Sequence, residues 1–434
     1  MSDLHLPLED PNLRNDTIPP PEDKQKPARK TGIRIAAFSS LKNRNFRRFW
    51  FGMIFFYNAM QMGMVARGWL VYTLTDSAMA LGLVSAGWGL PMVLFALHGG
   101  VIADRFRKRN LMLITQAGLF FVSLVLATLI QIQQIALWHL VAGSVLSGFS
   151  LALGLPTRQA FVMELVGKTD LLNAVALNAM AMNICRIVSP ALAGILIKFI
   201  GIPGVYWLIV TSYVLNIFII TLIPAGDRIE TKKDISISDD LKEGLRYVRK
   251  SPVIMTLLLL AFIPILVAMP YQMLMPVFAK TVFQAGETGL GLLMSGVGIG
   301  ALTGSLTLSM VRDFQHKGLL MLLAGLVFGV FLVLFSQAGS LYLACLFLLL
   351  GGIGSSMFFT LTNTLIMENT PEKLTGRIMS IYMMTWGLMP LGTLMAGALA
   401  ESFGAPLTVS GGGTVLIAVV LAVFIFQPWV RKIK

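Results

Sequence analysis

A short charged segment, residues 100–109, separates two long apolar stretches of a chain that is 56% hydrophobic and only 13% charged. It holds one carboxylate, Asp104, followed by four cations: Arg105, Arg107, Lys108 and Arg109. A carboxylate at a helix end is stabilised by the partial positive charge at the N-terminus of another helix. Cations beside an apolar stretch can instead hold a loop on one side of a membrane. Both explanations give the segment an electrostatic role.

Two other cations lie inside apolar stretches. Arg186 is near the middle of one, where an unpaired charge costs several kcal/mol, so it must face a watery cavity or a polar partner. It could attract an anionic substrate group, hold a proton-linked partner, or make a structural hydrogen bond to a neighbouring helix. Arg67 lies about two turns from the end of its stretch. It could extend to the surface, with Asp76 as a partner, or line a substrate path.

The elements that carry these residues are apolar stretches of about 20 residues, the length needed to cross a membrane. Backbone polar groups in lipid must bond within their own segment, so each stretch is expected to be a helix. The sequence predicts twelve spans, at residues 48–73, 77–102, 111–131, 136–158, 172–197, 203–224, 252–276, 287–310, 318–337, 341–366, 376–400 and 406–427.

The distribution of charge predicts the orientation of the spans. With twelve spans, thirty of the 34 Lys and Arg residues fall on the side of both termini, and only Lys198 and Lys280 fall on the other. Positive residues mark the cytoplasmic side, so both termini are expected there. The formal charge of +13 therefore reflects topology and contact with membrane lipids, and we expect no nucleic-acid partner.

The chain divides at its longest polar connection between spans, residues 225–251, whose second part could form an amphipathic helix on the membrane surface. We expect a disordered cytoplasmic tail at 1–35, six-helix bundles at 36–224 and 252–427, and a cytoplasmic tail at 428–434. Matched positions support a repeat. Gly100 and Met163-Glu164 lie 204 residues before Gly304 and Met367-Glu368. The predicted fold is an all-α membrane protein with two pseudo-symmetric bundles.

Several motifs resemble the major facilitator superfamily. Residues 100–109 are similar to its loop signature G-x-x-x-D-R-x-G-R-R, with Arg107 where the family usually has Gly. Asn45–Trp50, Pro156–Phe161 and Thr375–Met379 resemble the bacterial efflux branch that includes the enterobactin exporter. The resemblance extends from about residue 40 to the C-terminus. It implies transport by alternating access, in which two bundles rock about a central site.

The resemblance also gives the charged segment a role. Asp104, with Gly100 before it, would dock at the start of span 11, around Gly376 and Arg377, and close the two bundles on the cytoplasmic side. Arg105 and Arg109 would add ion pairs. The alternative is that Asp104 only caps its loop. We expect Asp104→Asn to fold but to transport poorly.

Further candidates follow from helices that the family places around its cavity. The polar side chains are Asn58, Gln61, Ser147, Gln272, Thr360 and Asn363, although each is more often bonded to a neighbouring helix than to a ligand. Trp386 could stack on a flat substrate. The family implies proton antiport, yet none of the 21 acidic residues lies at the middle of a span. Glu164 and Glu368, at equivalent repeat positions, are the best substitutes.

The sequence thus predicts a secondary transporter in a bacterial inner membrane that exports small amphipathic molecules of siderophore or drug type in exchange for protons. An importer or a lysolipid flippase on the same fold is the main alternative. An enzyme would need paired acids, a Ser/His set or metal ligands in the spans, and the sequence has none. A receptor on this fold would be expected to lose the charges of residues 100–109. We expect no cofactor or metal, and a monomer.

Overall fold

The computed structural model describes residues 39–224, 237–310 and 316–433, without the side chains of residues 93, 96–105, 168–169, 237–242 and 372–373. All regular elements in these ranges are helices. The predicted N-terminal tail at 1–35 and the first part of the predicted linker lie outside the described residues. The described chain belongs to one compact unit, residues 38–434.

Five helices precede the linker. They are α1 Arg44–Thr75, α2 Ala78–Arg105, α3 Lys108–Gln131, α4 Leu137–Gly167 and α5 Asp170–Thr221. The linker contributes α6 Ile237–Lys250. Eight more follow: α7 Pro252–Val267, α8 Tyr271–Val277, α9 Gly286–Met310, α10 Lys317–Ser336, α11 Leu341–Glu368, α12 Glu372–Gly387, α13 Met389–Phe403 and α14 Ala405–Phe426.

Two glycines divide the longest helical run into separate legs. Gly167 has a φ of 68° and Gly201 a φ of 72°, a backbone conformation that other residues adopt only with strain. Gly167 separates α4 from α5, and Gly201 divides α5 into legs of residues 170–200 and 202–221. In the described chain, nine helices are long and apolar enough to cross a membrane. With the divided α5, and with α7 and α12 continued by α8 and α13, the architecture is consistent with the twelve predicted spans.

The helices run between two ends of the molecule. The terminal face is the end at which the described chain begins, at Ser39, and ends, at Ile433. The opposite face carries the alternate turns, such as those at residues 76–77 and at Gly404. Below, the first half means α1 to α5 and the second half means α7 to α14.

Prolines lie at two helix breaks at middle depth and inside a third helix, because proline lacks an N–H and its ring displaces the preceding turn. Pro264 lies inside α7, and its carbonyl accepts bonds from the amides of both Ala268 and Met269 before α8 begins. Leu388 separates α12 from α13, whose first turn contains Pro390. Pro190 lies within the first leg of α5.

The linker helix expected from the sequence is confirmed as α6. It packs on α12 at the terminal face. Glu243 forms an ion pair with Arg377 at 2.7 Å, and a Cβ on Gly244 would lie 3.0 Å from Ile381. The linker thus contacts the helix at which the predicted cytoplasmic closure would form.

Candidate functional site

A cavity of about 300 Å³ lies between the two halves at middle depth. Its lining residues come from six helices, α5, α8, α9, α11, α12 and α13, and from the break between α7 and α8. They are Arg186, Met269, Gln272, Ala301, Ser355, Ser356, Phe359, Thr360, Trp386 and Met389. The volume is at the lower end of the range of small-molecule sites.

The central side chains lie close to these prolines in the sequence. Arg186 lies four residues before Pro190 on α5. Gln272 is in the first turn of α8, directly after the break that follows α7. Trp386 is in the last turn of α12, directly before the break at Leu388. Irregular backbone at membrane depth is tolerated where it lines a cavity, and here two such breaks adjoin one.

The cavity has a polar part and an apolar part. The guanidinium of Arg186 and the amide of Gln272 share it with the hydroxyls of Ser355, Ser356 and Thr360. The apolar part consists of two rings and two thioethers: Phe359, Trp386, Met269 and Met389. The ring centroids of Phe359 and Trp386 are 5.1 Å apart, with an angle of 47° between the planes. Such a lining suits a ligand with an anionic or hydrogen-bonding group and a flat apolar body.

Between the cavity and the opposite face, the two halves are bonded to each other. Glu401 Oε2, on α13, accepts hydrogen bonds from Ser77 Oγ at 3.1 Å and from the amides of Ala78 and Met79 at 2.8 and 3.2 Å. Lys280 forms an ion pair with Asp76 at 2.5 Å. In addition, the hydroxyls of Tyr72 and Thr281 lie 2.8 Å apart. The opposite face is therefore closed.

Close helix packing continues this closure inward. A Cβ on Gly82 of α2 would lie 2.8 Å from the carbonyl oxygen of Thr393 on α13. A Cβ on Gly291 of α9 would lie 2.6 Å from the carbonyl oxygen of Pro190 on α5. Small residues allow this close approach of helix backbones. Nearer the cavity, Ser295 Oγ donates to the carbonyl oxygen of Ile187 at 2.7 Å.

The face of α5 that carries Arg186 changes its environment at that residue. Toward the opposite face, Ala193 and Ile197 are 0% and 5% exposed. Toward the terminal face, Met182 and Val175 are 41% and 52% exposed. Residues three, four or seven apart share one helix face, so these side chains form a single stripe. Among the described side chains, the stripe is covered on the opposite-face side of the cavity and uncovered on the terminal-face side. The described part of the cavity therefore opens toward the terminal face.

Four of the predicted candidates meet in this cavity: Arg186, Gln272, Thr360 and Trp386. The half-buried Asn58, Gln61 and Asn363 are not among the described residues that line it. Their roles stay predictions.

Arg67 also lies away from the cavity lining. Its Nη1 donates to Ser144 Oγ at 3.2 Å, and the buried phenol of Tyr206 lies beside it. Arg67 therefore points into the first half instead of reaching the opposite face, and Asp76 pairs with Lys280 instead of Arg67.

The two predicted coupling carboxylates each form an ion pair at the terminal face. Glu164 lies 3.9 Å from Lys108, with exposed fractions of 18% and 12%. Glu368 lies 2.5 Å from Lys317, with 42% and 30%. In each half, a glutamate in the last turn of one helix forms an ion pair with the lysine that begins the preceding helix, α4 with α3 and α11 with α10. This correspondence is what a six-plus-six repeat would produce.

The predicted gating residues are only partly described. Gly100 and the side chains of Asp104 and Arg105 lie outside the described residues, so the expected docking of Asp104 stays a prediction. Arg109 donates to the carbonyl oxygens of Ile220 and Thr221 at the end of α5, at 3.4 and 2.8 Å, within the first half. Arg377 pairs with Glu243 of the linker helix, while Gly376 is exposed.

One charge was misplaced by the sequence interpretation. Arg158, the last residue of the predicted span 136–158, was counted among the cations of the cytoplasmic side, but α4 extends to Gly167 and Arg158 is only 5% exposed inside it. Its Nε donates to the carbonyl oxygen of Gly154 at 3.2 Å, and its guanidinium lies 4.0 Å from the centre of the Phe56 ring.

Other contributors to the site were also missed. Ser355 and Ser356 of α11 were not predicted, although they lie one turn before Thr360, the predicted candidate on the same helix. Glu401 was assigned only to the outer end of a span, because contacts between distant helices leave no trace in local sequence.

Comparison with known proteins agrees with this architecture. Residues 35–432 match the profile of a family described as transmembrane secretion effector. The chain is 26% identical to the staphyloferrin A transporter of Staphylococcus aureus (strain NCTC 8325 / PS 47), over 86% of this chain and 93% of that protein. It is 26% identical to the enterobactin exporter EntS of Shigella boydii serotype 18 (strain CDC 3083-94 / BS512), over 82% and 86%.

A solved structure shows the same fold. A POT family transporter in complex with 5-aminolevulinic acid superposes with a TM-score of 0.71 and 14% identity, over 90% of this chain and 97% of that one. The chain is therefore an all-helical, multi-pass membrane protein with the major facilitator fold.

Proposed function

The chain belongs to the transmembrane secretion effector family of the major facilitator superfamily, and from that premise we propose that it exports small amphipathic molecules of siderophore type. Export would proceed by alternating access and would be coupled to proton antiport. The protein is a transporter, not an enzyme. Two similar proteins that carry siderophore names, a staphyloferrin A transporter and an enterobactin exporter, support the substrate class.

The observation that carries the proposal is a cavity that the described residues close toward the opposite face and leave uncovered toward the terminal face. The halves are bonded at the opposite face, while the stripe on α5 is uncovered from Met182 toward the terminal face. This is the geometry expected of one end state of a rocking transporter. If the terminal face is cytoplasmic, as the positive residues predict, an exporter in this state is ready to take up its substrate from the cytoplasm.

The lining indicates which substrates the cavity would select. A guanidinium in a low-dielectric site attracts carboxylate or phenolate groups and can bond them in a bidentate manner. The rings of Phe359 and Trp386 offer a surface for a flat apolar body. Siderophores and their conjugates combine such groups, so Arg186 and Trp386 are assigned to opposite parts of one substrate.

The test is accumulation of a panel of anionic and neutral aromatic compounds, including siderophores, in cells with and without the protein. Export predicts lower accumulation, abolished by a protonophore. Arg186→Gln should reduce export of the anionic compounds about tenfold or more, because the lost bond is to a charged group. Arg186→Lys should retain part of it. Lys198→Gln, on the exposed surface of the same helix, is the matched control and should leave export unchanged.

Higher accumulation with the protein present would instead establish import. Equal export by Arg186→Gln and the wild type would show that Arg186 has a structural role.

Proton coupling is assigned to the terminal-face carboxylates, and the two can be compared directly. Glu164 is more buried than Glu368, at 18% against 42% exposed, so a change of conformation can alter its access to water more. We expect Glu164→Gln to weaken the dependence of export on the pH gradient more than Glu368→Gln does. Equal effects of the two variants, or no effect of either, would show that Glu164 is not the site of proton coupling.

The remaining assignments concern location and assembly. We propose a bacterial inner membrane with the terminal face in the cytoplasm, which a fluorescent protein fused after Lys434 would test by its signal. We propose a monomer that needs no cofactor, because one chain supplies both halves of the cavity. Light scattering in detergent would test the mass.

A further inference from the structure

Glu401 makes the densest polar contact between the two halves among the described residues. A single oxygen of its carboxylate accepts three hydrogen bonds, from Ser77 Oγ and from the amides of Ala78 and Met79. Ala78 and Met79 are the first two residues of α2. These amides have no partner within their own helix, so Glu401 satisfies donors that α2 cannot satisfy itself.

The contact between the carboxylate of Glu401 and the start of α2 is also electrostatically favourable. The start of α2 carries partial positive charge, and a carboxylate placed there is stabilised. Bonds to a charged acceptor are also stronger than bonds between neutral groups. Glu401 lies near the end of α13, which runs antiparallel to α2, so the acid at the end of one helix caps the start of the other.

We propose that Glu401 is the latch of the opposite face, which holds the halves together there until the transporter turns outward. The proposal rests on the proposed function, because a latch has a purpose only if the halves separate. Under this proposal each face of the molecule has one acid that lies at the end of a helix in one half and contacts the start of a helix in the other half. The sequence predicts Asp104, at the end of α2, against the start of α12 at the terminal face, and Glu401 is the counterpart at the other face.

The neighbouring contacts show why Glu401 carries this role. The ion pair of Asp76 with Lys280 is largely exposed, at 73% and 33%, and exposed pairs contribute little. The close packing of Gly82 against Thr393 brings α2 and α13 together but involves no charged group. Opening the opposite face must leave the amides of Ala78 and Met79 without their acceptor. The charge of Glu401 therefore sets how rarely the face opens.

The experiment measures opening directly, without any transported compound. In a background with Cys185→Ala and Cys345→Ala, a reporter Thr393→Cys is placed on α13 at a position that is 3% exposed in the closed state. Right-side-out vesicles are treated with a membrane-impermeant thiol reagent. Glu401→Gln should raise the labelling rate roughly tenfold, and Glu401→Ala by more, because the charge-assisted bonds weaken and then vanish.

The matched control is Glu287→Gln. Glu287 is an acid in the first turn of α9 at the same face, and the described bonds between the halves do not involve its side chain. Its neutralisation should leave the labelling rate unchanged. A second reporter, Ala396→Cys, is one turn nearer the face and 8% exposed, and it should respond in the same order. Full labelling after denaturation and a single symmetric peak in detergent show that each variant is folded and reactive.

Equal labelling of the wild type and both Glu401 variants, at both reporters, would overturn the latch. So would an increase of the same size in Glu287→Gln. If siderophore export is observed while labelling is unchanged, only the latch fails. If labelling increases as expected while no compound is exported, the latch stands and the proposed substrate class fails.

Discussion

The two faces of the molecule use charge in different ways. At the opposite face, Glu401 and Asp76 bond to the other half of the chain. At the terminal face, the described carboxylates Glu164 and Glu368 bond to lysines of their own half. The first set of contacts must break when the halves separate, while the second can persist through the motion.

This difference indicates which parts move as units. Ion pairs within a half brace the ends of neighbouring helices, so each half can rotate as a rigid body. Bonds between the halves at one face are present in one end state and absent in the other. Their free energy therefore sets the fraction of molecules in which that face is closed. The predictions below each alter one side of this comparison.

The largest effect is expected from filling the close approach between α2 and α13. A Cβ on Gly397 would lie 2.9 Å from the carbonyl oxygen of Ala78. Gly397→Leu should lower the free energy that holds the face closed by about 1–3 kcal/mol, the usual cost of overpacking. The reporter labelling described above and thermal unfolding in detergent both measure it. Gly411→Leu is the control, because a Cβ there meets no atom within 4 Å. Equal labelling rates and unfolding temperatures of the two variants would show that the close approach of α2 and α13 does not stabilise the closed face.

The next effect compares the two acids proposed for the two faces, Asp104 and Glu401. We predict that Asp104→Asn shifts the population toward the state open at the terminal face and that Glu401→Gln shifts it away. Each shift should be roughly tenfold, the size expected for one charge-assisted contact. Because the shifts have opposite signs, the double variant should label at nearly the wild-type rate. A double variant that labels as fast as Glu401→Gln alone would show that Asp104 has no such role.

A smaller effect is expected from the exposed ion pair between halves. Asp76→Lys alone and Lys280→Asp alone should each raise the labelling rate. The double variant, in which the two charges are exchanged, should label at the wild-type rate. The coupling should be at most about 1 kcal/mol and should disappear in high salt, because both groups are partly exposed. Coupling that persists in molar salt would indicate a buried interaction instead.

The smallest effect is expected at the terminal face. Lys317→Ala and Glu368→Gln should each change stability by only a few tenths of a kcal/mol, since the pair is exposed. Neither should change labelling at the opposite face, because the pair lies within one half. A clear change in labelling would mean that this pair senses the conformational state, and the contrast between the faces would fail.

Much of the fold followed from local pattern. The length and apolarity of the stretches predicted helices across a membrane, and the polar segment ending in Arg249 and Lys250 predicted the linker helix α6. Arg186 was identified because a charge inside an apolar stretch needs a partner or a cavity. The error at Arg158 arose from a span predicted too short, since a charge at its end was counted on the cytoplasmic side instead of in a buried contact with Phe56.

The sequence by itself determined the class of protein, the helices and the few polar residues within them, because hydrophobicity and its period act along the chain over short distances. Only the tertiary structure decided that Arg186, Gln272 and Trp386 share one cavity and that Glu401 caps α2. The reason is physical. Contacts between residues more than 80 positions apart, as here, depend on how helices pack and where prolines break them, and no local pattern encodes that packing.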